Sequence, residues 1–107
     1  MYVEYTIFVK YKGYRIEFSQ DKNLLLQETR GVCFEDVLQA IERKKILDDR
    51  KSSTQKYLHQ RILVIKRKNY IYAVPYVRDS KRKTVFLKTV YPSRVLTERY
   101  LKGGIKK

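Results

Sequence analysis

Between Arg61 and Lys102 the chain alternates apolar runs with short polar breaks. Three runs, Arg61–Arg67, Tyr70–Val77 and Thr84–Tyr91, are rich in Val, Ile, Tyr, Phe and Thr, which suit the pleated, half-buried surface of a sheet. The breaks between them are too short for a crossover, so the three are expected to pair antiparallel. Lys68-Asn69 reads as a tight turn, since Asn tolerates positive φ, and Arg78–Lys83 as a longer polar loop. Pro75 has no N–H to give to a ladder, so the middle strand needs a bulge or an unpaired side there. Ser93 is the expected N-cap of a last helix, Arg94–Lys102. Gly103-Gly104 should end it, leaving a frayed tail over 103–107.

Upstream, Tyr2–Tyr11 alternates as a strand, with Val3, Tyr5, Ile7 and Val9 on one side. Lys12-Gly13 turns the chain into a second strand, Tyr14–Phe18. Ser19 should cap a helix over Gln20–Arg30 that carries Leu24, Leu25 and Leu26, with Gly31 closing it. Phe34, Val37, Leu38 and Ile41 then fall at helical spacing and predict a helix over Phe34–Lys44. Its first turn holds Glu35 and Asp36, and Arg43, Lys44 and Lys45 complement the dipole at its end. Ile46–Asp49 is a short strand, and the polar run Arg50–Gln60 a mobile loop. The order β(β)αα(β)βββα describes one α+β domain over residues 1–107, with helices laid on one face of a small antiparallel sheet.

Charge changes this picture most. The chain carries 25 Lys and Arg against 11 Asp and Glu, a net charge of +14. Residues 1–49 hold 8 basic and 9 acidic side chains, whereas residues 50–107 hold 17 basic and 2 acidic ones. An excess of +15 confined to one half produces a field that attracts polyanions, nucleic acid above all. No apolar run reaches the ~20 residues that span a bilayer, and Met1–Gly13 has no secretory apolar stretch. With Cys33 the one cysteine, a reducing cytoplasm is the expected location and a small core residue the expected role of Cys33.

Several stretches resemble one family. FSQDKN, RGVCFEDVLQAI, RILVIKRKNYIYAVPYV and VFLKTVYPSRVLTERYL are similar to the BrnT-type toxins of the RelE/ParE superfamily. The most specific pieces are Gly31-Val32-x-Phe34-Glu35-Asp36 and Ser93-Arg94…Glu98-Arg99-Tyr100. The resemblance spans Tyr14 to Leu101 and leaves 1–13 as an N-terminal extension. Lys88 stands where the family often has arginine. The resemblance implies a RelE-like fold, with two N-terminal helices on one sheet face and a short C-terminal helix. It also implies the toxin of a type II toxin–antitoxin system, an mRNA interferase. Its partners would be mRNA, the ribosome and a DNA-binding antitoxin from the adjacent gene. A non-catalytic RNA- or ribosome-binding protein fits the charge equally, and a gyrase-directed ParE-like toxin shares the fold.

RNA cleavage by internal attack must deprotonate a ribose 2′-OH, stabilise a phosphorane and protonate the leaving oxygen. With His59 the one histidine, a two-histidine mechanism is excluded. No acidic cluster with ligand spacing occurs in the basic half, so neither a metal nor another cofactor is expected. Cationic preorganisation remains. The candidate catalytic residues are Lys88, Arg94, Tyr91, Tyr100 and His59. Lys88 is expected on one strand face with Phe86 and Val90, Arg94 at a helix start, Tyr91 or Tyr100 as a base with its pKa lowered by cations, and His59 as an acid. Candidate RNA-binding residues are Arg61, Lys66, Arg67, Lys68, Arg78, Lys81, Arg82, Lys83 and Arg99, with Tyr57, Tyr70, Tyr72 and Tyr76 available for stacking.

Overall fold

The computed structural model describes residues 2–52, 56 and 59–103, with side chains between Val9 and Leu101. Strand β1 (Tyr2–Tyr11) turns at Lys12 and Gly13, both at positive φ, into β2 (Tyr14–Ser19). Helix α1 (Gln20–Arg30) is capped by Ser19, whose Oγ accepts from the Lys22 N–H at 3.2 Å, and ends at Gly31 with φ 65°. Of its three leucines only Leu26 reaches the core; Leu24 and Leu25 are half exposed.

Helix α2 (Phe34–Glu42) stops before the predicted boundary. Lys44 adopts φ 56°, and the N–H groups of Lys44 and Lys45 donate back to the carbonyls of Ile41 and Ala40. This is a Schellman ending with lysine in the place glycine usually takes, so Arg43, Lys44 and Lys45 lie just past the last turn. The join between α1 and α2 is made by Asn23, which is buried. Its Oδ1 accepts the Phe34 N–H at 2.6 Å and its Nδ2 donates to Glu35 at 2.8 Å. Cys33 sits at the N-cap of α2, half-buried rather than in the core, and burial pushes its thiol pKa up. That suits a structural residue rather than a nucleophile.

Strands β3 (Ile46–Lys51), β4 (Arg61–Arg67), β5 (Tyr70–Asp79), β6 (Thr84–Leu87) and β7 (Tyr91–Pro92) follow. The sheet order is β1-β2-β6-β5-β4-β3, with β7 also on β5. The hairpins pair antiparallel as expected, and Lys68-Asn69 forms the β4–β5 turn with both residues at positive φ. The sheet is mixed, however: β2 and β6 pair in parallel, from Arg15 opposite Thr84 to Phe18 opposite Leu87. The helices and three strands between them supply the long connection that parallel neighbours require. β1, the N-terminal stretch outside the family resemblance, forms the sheet's edge against β2, and its last residue, Tyr11, is buried in the core. In the expected loop, β3 extends to Lys51, and residues 53–55, 57 and 58 lie outside the described residues.

The run Thr84–Tyr91 is not one regular strand. Tyr76 pairs with Leu87, but Ala73 pairs with Tyr91, so three residues, 88–90, face the two residues Val74 and Pro75. The Pro75 carbonyl accepts the Lys88 N–H at 2.8 Å, so the side of Pro75 that lacks an N–H faces this bulge. The Val90 carbonyl accepts Arg30 Nη1 at 2.8 Å, a tie from α1 that holds the bulge. The extra residue reverses the alternation. Val90 is fully buried and in the core with Leu87, while Lys88 is exposed. The expected face shared by Phe86, Lys88 and Val90 is therefore corrected: Val90 leaves it.

The two faces of the sheet differ. Ile16, Phe18, Leu63, Ile65, Val74, Tyr76, Val85 and Leu87 form one core with Leu26, Phe34, Val37 and Leu38 of the helices. Phe18 stacks on Phe34 at 4.7 Å between centroids. Val64, Ile71 and Ala73 are buried on the opposite face. The C-terminal segment covers them: α3 (Arg94–Thr97), continued by a π-helical turn (Glu98–Gly103). Ser93 Oγ caps α3 by accepting the Leu96 N–H at 3.1 Å, and Thr97 Oγ1 accepts the Ile71 N–H at 3.0 Å. The last residues of the chain, 104–107, lie outside the described residues.

Candidate nucleic-acid interface

Cations crowd both ends of β5. At one end lies the β4–β5 turn with Lys66, Arg67 and Lys68; at the other lies the loop with Lys81, Arg82 and Lys83. A ten-residue strand separates them by ~30 Å. Asp79 Oδ1 shapes the loop by accepting the Lys81 and Arg82 N–H groups, each at 3.1 Å, and Lys83 takes positive φ.

Many of the arginines are committed to carboxylates or rings. Arg82 donates to Glu17 at 2.8 Å, and Glu17, its side chain 4% exposed, is a buried carboxylate that composition alone does not flag. Arg67 Nε pairs with Asp36 at 3.2 Å, and its Nη2 donates to the Gly31 carbonyl. The Arg78 guanidinium lies 5.9 Å from the Tyr14 ring centroid.

Arg61 belongs to a larger network. Its Nε donates to Asp49 Oδ1 at 3.0 Å, while Asp49 Oδ2 accepts Tyr11 OH at 2.6 Å and Tyr76 OH at 2.8 Å. Lys12 Nζ stands 3.7 Å from the same oxygen. Burial alone would raise the Asp49 carboxyl, but the hydrogen bonds from Tyr11, Tyr76 and Arg61 outweigh it and hold the pKa below the usual range. Burial, then the bond to Asp49, pushes both tyrosines well above the usual tyrosine range. Tyr76 is thus a structural group joining β5 to β3, and its ring is closed to stacking on RNA.

The outer face beside β7 brings three candidates into one strip. Lys88 begins the bulge and Tyr91 follows it, both exposed, and Tyr91 shares the face of Ala73, its partner on β5. Lys88 Nζ lies 5.5 Å from the Phe86 ring centroid. Arg94 follows, also exposed. Neither cation has a carboxylate partner among the described residues, so each is open to an anion. Lys88 N–H is bonded to Pro75 and Ser93 N–H to Ile71, four residues along β5, or ~13 Å. That spacing lets the Lys88 ammonium and the Arg94 guanidinium meet different phosphates of one strand.

Tyr100 lies elsewhere. Its hydroxyl donates to Asp48 at 2.9 Å, over β3. That is three strand spacings, ~14 Å, from β6. Burial first, then Asp48, raises its pKa against the pull of Arg50 and Arg99. The expected lowering by cations is therefore corrected, and a hydroxyl with a raised pKa is a poor base near neutrality. His59 is exposed at the end of the 50–60 stretch, and Tyr57 lies outside the described residues. Among the described residues no group of three or more His, Cys, Asp or Glu could hold a metal ion, and no helix is long and apolar enough to cross a membrane.

No protein-family model matches this chain, and neither a curated protein nor a solved structure matches it. The fold and surface define a class, an α+β domain built on a mixed sheet with helices on both faces and a strongly basic C-terminal half.

Proposed function

We propose that this protein binds RNA through its basic half and acts as the toxin of a type II toxin–antitoxin pair, cleaving mRNA by cationic stabilisation of the reacting phosphate. The observation that carries the reading is the excess of +15 on residues 50–107, with Lys88 and Arg94, near Tyr91 in sequence, exposed and without a carboxylate partner among the described residues. The BrnT-like stretches supply the enzyme class and the RelE-like assignment. In this reading Lys88 and Arg94 hold the phosphates around the scissile bond; as the 2′-oxygen attacks phosphorus its proton passes to solvent, relayed by the Tyr91 hydroxyl, and a water gives a proton to the departing 5′-oxygen. The loop cations Lys81 and Lys83, with Arg99, add backbone affinity. A cognate antitoxin neutralises the protein by covering the outer face of the sheet.

If about six phosphates are neutralised, log affinity for single-stranded RNA should fall against log salt with a slope near −4. A slope near zero in a salt titration would remove the nucleic-acid reading altogether. Induction in bacteria without a partner gene should arrest growth, with new mRNA 5′ ends inside coding regions. Normal growth at verified soluble expression would leave a non-catalytic RNA binder.

A further inference from the structure

Between the end of α2 and the β4–β5 turn lies an open cleft of about 450 Å³. Five cations from two parts of the chain surround it: Arg43 and Lys45 past α2, and Lys66, Arg67 and Lys68 at the turn. The one carboxylate in its wall, Asp36, is already paired with Arg67. Arg43, Lys45, Lys66 and Lys68 are exposed and have no carboxylate partner among the described residues. The negative end of the α2 dipole offsets about half a charge, and the Schellman bonds already occupy the carbonyls of Ile41 and Ala40. Four free cations thus converge on a concavity of ligand size, where the field is focused and like charges repel until an anion enters.

We propose that this cleft holds the sugar–phosphate backbone of the RNA strand as a second contact site, one that rests on the RNA reading above. Two observations favour nucleic acid over an acidic peptide. Tyr70 pairs with Arg67 across the hairpin, so it lies beside the cleft, half-buried, with its ring 6.0 Å from that of Tyr72. It offers a partly exposed ring next to a line of cations, the combination that single strands use. The cleft also lies at the end of β5 where Ser93 is bonded to Ile71, so Arg94 and the cleft share one end of the sheet. A strand leaving Arg94 can pass the turn and enter the cleft.

The test uses a 20-nucleotide RNA of mixed sequence with 2′-O-methyl sugars, which cannot attack its own phosphates, so binding is read without cleavage. The double variant Arg43→Gln/Lys45→Gln removes two exposed cations and should melt like the parent. Its salt slope should be shallower by about 1.4, and its affinity at 0.1 M salt lower by about 25-fold, the loss of two single-strand phosphate contacts. Lys66→Gln, an independent change in the cleft, should reduce the slope by about 0.7. A parent without salt-dependent binding would sink the RNA reading itself. A steep parent slope left unchanged in both variants would overturn only the cleft. RNA affinity retained, with binding of poly-glutamate lost, would overturn it in favour of an acidic protein segment.

Discussion

Replacing Lys88 or Arg94 by alanine is expected to lower the single-turnover cleavage rate by about 10²-fold or more, the scale of one preorganised charge donor. RNA affinity should change far less, because the loop and turn cations share the binding. Both side chains are exposed, so the variants should stay folded. Lys88 touches the Phe86 ring, an exposed cation–π contact of about 0.5–1 kcal/mol, and the cap of α3 is made by Ser93 rather than Arg94. Lys81→Ala, in the β5–β6 loop, is the control: a slight loss of affinity and an unchanged rate. Rates of folded Lys88→Ala and Arg94→Ala within a few fold of the parent would end the catalytic assignment and leave these residues as binding cations. The ~13 Å between their anchors adds a further expectation. The two losses should combine nearly additively in free energy, since distant residues holding different phosphates do not share one interaction.

The second large effect concerns stability. Asp49→Ala is expected to cost about 3–5 kcal/mol, because it leaves the Arg61 guanidinium and the hydroxyls of Tyr11 and Tyr76 facing a vacated site only 11% exposed. Single domains are stable by about 5–15 kcal/mol, so the urea midpoint should fall by roughly 2–3 M at a slope near 1.5 kcal/mol/M. Tyr76→Phe removes one donor and should cost less, about 1.5–3 kcal/mol, the range for a hydrogen bond to a charged group.

The same network sets the pH limits of stability. The Asp49 carboxyl is held below its ordinary value of 3.8, so its contribution is complete above that value and is lost as pH falls through the lower folded one. Tyr11 and Tyr76 are raised above 10.0, so their contribution is complete below that value and is lost as pH rises toward the folded ones. Urea midpoints measured from acid to alkali should therefore drop at both ends. In Asp49→Ala the alkaline fall should be shallower, since the bonds to Asp49 no longer add to burial in raising the two tyrosines. An unchanged midpoint in Asp49→Ala would mean that the network contributes nothing to folding.

Local signals were legible wherever one residue or one period decides the outcome. Ser19, Gly31 and Ser93 cap the helices where their side-chain chemistry or φ freedom predicts, and β4 has the predicted limits. The apolar stripe of α2 faces the core, but the helix ends at Glu42, short of the expected Lys44, because lysine at positive φ gives no local sign of a stop. Pro75 correctly announces a disturbed ladder. Its partner strand carries the bulge, and a one-residue shift there decides which of Phe86, Lys88 and Val90 share a face. The cations near it in sequence made Tyr100 a candidate base, whereas the C-terminal helix carries it over β3 to Asp48.

The sequence by itself determined the α+β class, the alternation that makes one core, and the concentration of positive charge after residue 49. These depend on composition and on periods of two and 3.6 residues, which neighbours along the chain reveal. Only the tertiary structure decided that β2 lies parallel to β6, that Asp49 gathers Tyr11, Tyr76 and Arg61, and that Arg67 and Arg82 are spoken for by Asp36 and Glu17. It also placed Arg43 and Lys45, from the half of the chain with no net positive charge, beside Lys66 and Lys68. Pairing between distant residues follows from how the sheet closes, and free cations differ from paired ones only by what stands across from them in space.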